Sequence, residues 1–170
     1  MDFFDTVNER RSIRHFTDDP VSRDDIEMIL KAGITAPSAG NVQPWRFVVV
    51  KSDQARARLA AALDQKWAAA APVSIVVCVD PRPSRGRYGD RGALLYSIQD
   101  AAAATQNMLL ACVACGLASC WIGAFDEDAI RTSLGIKKPI TPVAILPIGY
   151  SAQASGKQAR RPLSEVSAWT

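Results

Sequence analysis

This sequence predicts an α+β or α/β domain with helices packed on a sheet, and three observations carry that prediction. Helical and strand patterns alternate loosely along the 170 residues. Val73 to Val79 is apolar on both faces, as expected of a strand in the middle of a sheet. Leu94 to Cys115 carries Ala, Leu and Met on nearly all sides, and a helix of that kind belongs inside something. At 1.5 Å per residue that helix would span roughly 33 Å, the width of a small domain.

The other elements follow from local chemistry. Asp2 to Arg10 reads as a short helix with Phe3, Phe4 and Val7 on one face. Ser22 with Asp25 three residues on is a capping-box signature, and Ile26, Ile29 and Leu30 continue at helical spacing to about Gly33. Ala36 to Pro44 holds two prolines, Gly40 and Asn41, and is a loop. The β-branched run Phe47 to Val50 is a strand. Ser52 caps a third helix expected to run through the Ala-rich stretch to about Ala71. Pro81 to Gly92, with two prolines, three glycines and four arginines, is expected to be an exposed loop. Gly116 stops the long helix. Ser119 to Ala124 is a third strand, and Asp126 to Leu134 a short helix with acidic residues in its first turn and Gly135 past its end. Ile140 to Tyr150 is a fourth strand whose two prolines suggest an edge position or a bulge. The tail from Ser151 is polar and basic, then closes with Leu163, Val166 and Trp169, which need a surface to lie on. With no repeat and no linker, residues 1–170 are expected to form one domain.

Composition bounds the function. Hydrophobic residues make up 48% and charged residues 22%, an ordinary globular balance. A net charge of +3 is too weak for a nucleic-acid surface. The positive residues gather instead at Arg10, Arg11 and Arg14 and at Lys157, Arg160 and Arg161, clusters suited to a small phosphorylated ligand or to two solvated patches. The opening MDFFD is acidic and aromatic, so no secretory leader is expected, and the longest apolar run, Trp67 to Val79, is too short for a membrane span. Cys78, Cys112, Cys115 and Cys120 form no paired knuckle and His15 stands alone, so no metal site is expected. Cys112-x-x-Cys115 lies in a helical stretch, which favours buried free thiols over a redox pair and places the chain in a reducing cytoplasm.

Three segments could carry chemistry. Arg10-Arg11-Ser12-Ile13-Arg14 puts three guanidiniums and a hydroxyl within five residues, and guanidinium forks match phosphate oxygens in pairs; the same residues could simply complement a helix end. Pro37 to Trp45 offers Ser38, Asn41 and Gln43 from a proline-stiffened loop, or is an ordinary turn. Gly116 to Phe125 has small residues around a strand, allowing close approach to a flat ligand. There is no GxGxxG, Walker or Gly-x-Ser-x-Gly motif, and a triad would have only His15 to use. Chemistry without a protein nucleophile points to a borrowed cofactor, with no catalytic side chain required.

In order, RRSIRHF, APSAGNVQPWRFVVV, LLYSIQDAAAATQNMLLA, GLASCWIGAFDE, PVAILPIGY and ARRPLSEV resemble the nitroreductase family over nearly the whole chain. The resemblance implies an α+β fold with a central, mostly antiparallel sheet flanked by helices, and a homodimer with the long helix at its interface. It implies FMN in clefts between subunits, a tail (about 151–170) packing on the partner, and NADH or NADPH as electron donor to a small acceptor such as a nitro compound or quinone. By position, Arg10, Ser12 and Arg14 would hold the FMN phosphate, ribityl chain and pyrimidine edge, with Arg11 adding backbone or side chain. Pro37, Ser38 and Asn41 would line the flavin from the other subunit. Gly123 and Ala124 would face the ring with Trp121 and Ile122 close by, and Arg160 would meet phosphate. Two departures stand out. Gln158 occupies a position often basic in relatives, so that Lys157 or Arg161 must substitute or the contact is lost. Only Gln65 and Lys66 offer polar side chains before the second strand, where Trp67 interrupts. A flavin-site reductive dehalogenase, a flavin-destroying oxygenase and a non-catalytic FMN-binding module are the alternatives on the same scaffold.

Overall fold

A computed structural model describes residues 2–153 and 156–170; position 1, and positions 154 and 155 of the expected tail, lie outside the described residues. The fold is α+β. Its elements are α1 (Phe3–Glu9), α2 (Arg23–Ile34), β1 (Trp45–Val50), α3 (Asp53–Ala61), β2 (Val73–Val79), α4 (Pro81–Arg91), α5 (Ser97–Ala114), β3 (Ala118–Ser119), α6 (Glu127–Leu134) and β4 (Thr141–Gly149). The four strands form one sheet in the order β1-β2-β4-β3, and each neighbouring pair is antiparallel. None of the described helices is long and apolar enough to cross a membrane.

β2 lies between β1 and β4 and is buried throughout. Strand periodicity then sorts its side chains into two cores. Val73, Ile75, Val77 and Val79 meet Ile26 and Ile29 of α2 and Met108, Leu109 and Cys112 of α5 on one face. Val76 and Cys78 meet Leu59 of α3, Ile130 of α6 and Ile122 on the other. The result is three layers: α2 and α5, the sheet, then α3 and α6. The capping residues read from sequence do cap: Ser22 Oγ accepts from Asp25 N at 3.0 Å and Ser52 Oγ from Ala55 N at 3.3 Å; Asp126, expected inside its helix, caps it instead, Oδ1 accepting from Asp128 N at 2.9 Å.

Several expectations need correction. Residues 81–91 are helical, not a loop: Asp80 caps the helix through Arg82 N at 3.1 Å and Pro81 opens it, a start signal hidden by the Gly and Arg content. Gly89, at φ 62°, breaks that helix before the π-helical turn Gly92–Tyr96 leads into α5. α3 stops ten residues early, because Leu63 turns into the core and Lys66–Ala70 winds as a separate 3-10 turn that brings Trp67 inward. β4 is interior, not an edge. Pro142 sits at the bulge opposite Val77 and Cys78. By the alternation of the ladder Pro147 faces the same side as Ile145, between the contacts at Ile148 and Ile145, where no partner needs its missing N–H. β3 is two residues long, with Ile122 rejoining Ile145 as an isolated bridge. Much of the apolar surface of α5 is spent on its own chain, while Leu94 and Ile98 at its start are left exposed.

Candidate functional site

The segment after α1 is an extended strip docked along β3. Ile13 N donates to Ser119 O at 3.0 Å, and Ser12 bridges Ser119 in parallel. Ile13 and Phe16 pack inward on Ala71, Trp67 and Ala118. The strand alternation therefore turns Ser12 and Arg14 outward, and both are exposed. Farther on, Thr17 N donates to Tyr150 O and Ala152 N to His15 O, each at 3.0 Å, which ties the strip to the end of β4. The start and the end of the chain thus face each other across one opening.

That opening is a cavity of about 650 Å³ lined by Arg10, Arg11, Ser12, Ile13, Arg14 and His15 from the strip and by Gln153, Gly156, Gln158 and Arg160 from the tail. Its size falls within the ~300–1,000 Å³ of small-molecule sites. Among the described residues four guanidinium side chains line it, and no carboxylate does. Such a cluster costs free energy through mutual repulsion unless an anion joins it. The Arg14 guanidinium lies 5.8 Å from the centre of the Trp67 ring, a cation–π contact. Arg11 is partly committed elsewhere: its Nη1 donates to the carbonyls of Asn8 and Arg10 at the end of α1. Cys120 lies behind the strip; burial pushes its thiol up, while Arg14, Ser12 and Arg10 pull the other way. Burial pushes Cys112 up to about 12, so it carries no thiolate near neutrality.

The other expected residues fall in different places. Arg161 turns away from the cleft and pairs with Glu165 at 3.2 Å. Gln158 reaches the cavity where a second basic residue was expected, and neither Lys157 nor Arg161 lines it in its stead. Ile122 is buried in the core, whereas Trp121, Gly123 and Ala124 are exposed just past β3. Gln65 fixes this stretch by donating from Nε2 to Ala124 O at 2.9 Å, and its buried Oε1 has no partner among the described residues. Lys66 is exposed and Trp67 packs against Ile13 and Phe16, so Gln65 is the polar side chain turned to that stretch.

Pro37, Ser38 and Asn41 do not line the cavity of their own chain. They sit on a loop held in an uncommon conformation, with Gly40, Asn41 and Gln43 at φ of 55°, 57° and 53°. Positive φ at two non-glycine residues is costly and persists only where the surroundings over-determine it. Here Ser38 Oγ accepts from Gln43 N, Asn41 Oδ1 accepts from Gln43 Nε2, and Asp100 Oδ1 accepts from Ala39 N, all at 3.0 Å. Arg87 Nη1 of α4 donates to Gly40 O, also at 3.0 Å. Asp100 is buried; burial pushes its carboxyl up, the Ala39 N–H pulls it back, and Oδ2 has no partner among the described residues. Sequence reasoning missed Gln153 and Gly156, which carry no motif. It also missed Asp100, whose signal was a lone carboxylate in an apolar helix.

A two-faced α+β fold thus carries a cationic cleft with no carboxylate among its described lining residues, a donor set suited to a small anionic molecule. The Nitroreductase family model matches residues 7–71 and 61–150. A curated protein of Archaeoglobus fulgidus, whose name pairs NADH dehydrogenase with NAD(P)H nitroreductase, is 39% identical over 149 residues, 85% of this chain and 82% of that protein. The NADH dehydrogenase of Thermus thermophilus is 32% identical over 189 residues, 95% of this chain and 92% of that one. Among solved structures, a nitroreductase family protein from Clostridium difficile superimposes with a TM-score of 0.89 at 29% identity, covering 99% of this chain and 98% of that one. A complex with FMN from Exiguobacterium sibiricum, at 24% identity, has the same fold, with a TM-score of 0.91 over 100% of this chain and 98% of that one. The chain belongs to the nitroreductase family.

Proposed function

We propose that this protein is an FMN-dependent oxidoreductase that passes hydride from NADH or NADPH to a small acceptor such as a nitro compound or quinone, and that it works as a homodimer in a reducing cytoplasm. The observation that carries the reading is the cleft itself: guanidiniums from both ends of the chain, a hydroxyl, and no carboxylate. That donor set fits a phosphate monoester. The flavin, when bound, supplies hydride acceptance at N5 and its onward transfer to the acceptor. Arg10, Ser12, Arg14 and Arg160 hold its phosphate, ribityl chain and pyrimidine edge, and Arg11 contributes mainly through its backbone. A fixed guanidinium at the pyrimidine edge stabilises the negative charge that reduction places there. Trp121, Gly123 and Ala124 form the near wall for the ring, with Ile122 anchoring that stretch in the core behind them and Gln65 steadying Ala124. Pro37, Ser38 and Asn41 of a second copy close the far side.

Unpartnered apolar surface supports the homodimer. Leu163, Val166 and Trp169 in the tail are 72%, 57% and 94% exposed, and Phe3, Phe4, Leu94 and Ile98 on α1 and the start of α5 are uncovered as well. A second copy taking the tail would bury both sets. The test is to purify the protein, record its visible spectrum, release and identify the chromophore, and measure its mass in solution. A yellow dimer releasing FMN and oxidising NADH or NADPH with menadione is expected. A colourless monomer that ignores added FMN would overturn the reading, and bound FMN without nicotinamide oxidation would leave a non-catalytic flavin carrier.

A further inference from the structure

α4 and the turn behind it hold four arginines and two tyrosines that the proposed flavin cleft does not use. Two of the arginines have carboxylate partners. Arg82 makes two bonds to Asp80, with Nε–Oδ1 at 2.9 Å and Nη2–Oδ2 at 2.7 Å, and Arg85 pairs with Asp90. Arg87 and Arg91 have no carboxylate partner among the described residues, yet both are held in place. Arg87 donates to Gly40 O and lies 5.6 Å from the Tyr88 ring; Arg91 donates from Nε to Tyr96 Oη at 3.1 Å and lies 5.5 Å from that ring. The two rings meet edge to face, with centroids 5.4 Å apart. The four side chains thus form a row, Arg87, Tyr88, Tyr96, Arg91, with an exposed cation at each end. Each guanidinium uses one of its nitrogens in these bonds and keeps the rest of its fork for a ligand.

The row also lies against the strained loop. A Cβ at Gly40 would come within 2.3 Å of the Tyr88 hydroxyl and 2.6 Å of Arg87, so α4 rests directly on the loop that bears Ser38 and Asn41. If that loop faces the flavin of a second copy, the row stands at the mouth of that flavin's cleft. We propose that Arg87 and Arg91, with Tyr88 and Tyr96 between them, are the specificity element of this site, and that they select a ligand carrying a negative group beside a flat ring. Two molecules of the reaction have that chemistry: a nicotinamide dinucleotide with an extra phosphate next to its adenine, and an aromatic acceptor bearing a carboxylate. The proposal rests on the flavin reading above.

The test compares kcat/KM for NADPH against NADH, and for 4-nitrobenzoate against 4-nitrobenzamide, in the wild type and in Arg87→Gln/Arg91→Gln. The wild type should prefer the anionic member of at least one pair. The double variant should lose about tenfold more on that member than on its neutral counterpart. The pair affected identifies which molecule the row reads. Arg87→Lys/Arg91→Lys keeps the charges and should restore much of the preference, whereas Arg82→Gln/Arg85→Gln, which removes compensated charges, should leave it unchanged. Bound flavin and thermal melting of each variant separate selectivity from misfolding. If the yellow wild type shows no preference in either pair, or the double variant keeps it, the proposal is overturned while the flavin reading stands; a colourless wild type overturns both.

Discussion

Two basic regions of this molecule differ in how their charge is balanced. In the cleft between the strip and the tail, four guanidinium residues converge with no carboxylate among the lining. On α4, two of four arginines are neutralised by Asp80 and Asp90, and the bond to Asp80 is the helix's own N-cap residue turned to a second use. The contrast separates arginines that hold the fold together from arginines that wait for something else. Even neighbours divide this way: Arg160 lines the cleft, and Arg161 pairs with Glu165.

The largest effect is expected in the uncompensated cleft. Arg14→Ala should weaken FMN binding about ten- to hundredfold, equivalent to ~1.5–3 kcal/mol, with the flavin-free melting temperature nearly unchanged. Fluorescence titration of FMN checks this, and unaltered affinity would remove Arg14 from the site. Asp80→Ala should do the reverse, costing about 1–2 kcal/mol of stability through the lost cap and ion pair while FMN affinity holds. Its pH dependence has a definite sign. The Arg82 side chain, by hydrogen bond and charge, holds the Asp80 carboxyl below its ordinary value, so its contribution is complete above a pH of about 4 and disappears as pH falls through the lower folded value. Urea melts at pH 7 and pH 3 should show a smaller acid loss in Asp80→Asn than in the parent.

Asp100 should behave in the opposite sense. Burial raises its carboxyl, so ionising it works against the fold, and stability is fullest below the unfolded value and declines as pH rises toward the folded one. Asp100→Asn keeps an oxygen for the Ala39 N–H and should equal or exceed the parent in stability at pH 7 by up to about 1 kcal/mol. A clear loss of stability in that variant would show that the carboxylate has a partner of its own. The smallest effect belongs to Arg161→Ala. An exposed pair is worth ~0–1 kcal/mol, and FMN affinity should move less than about twofold, against the larger loss expected for Arg160→Ala. Equal losses at 160 and 161 would erase the distinction between them.

Local chemistry was legible where neighbours along the chain settle the outcome. Ser22 and Ser52 cap the helices they precede, and apolar residues on both faces of Val73 to Val79 mark an interior strand. The cationic cluster at Arg10 to Arg14 was readable too, because its charges lie within five residues, but its extended path along β3 was not. Composition misled at α4, where arginines and glycines masked an Asp-Pro helix start; at β4 it left an edge and a bulge as alternatives, and the pairing with β2 decides for the bulge, at Pro142. Asp100 could be seen but not interpreted, since its partner Ala39 is far away in sequence.

By itself, then, the amino-acid order determined most of the helices and strands, through short-range sterics, capping and periodicity, and it showed two cationic clusters and the family that the order of motifs resembles. Only the tertiary structure decided that Arg160 and not Arg161 enters the cleft with Arg10 and Arg14, and that Arg87 and Arg91 have no acidic partner among the described residues. Charge pairing in space is a matter of a few ångströms between residues that the chain itself keeps far apart, and only the packed sheet brings them within that range.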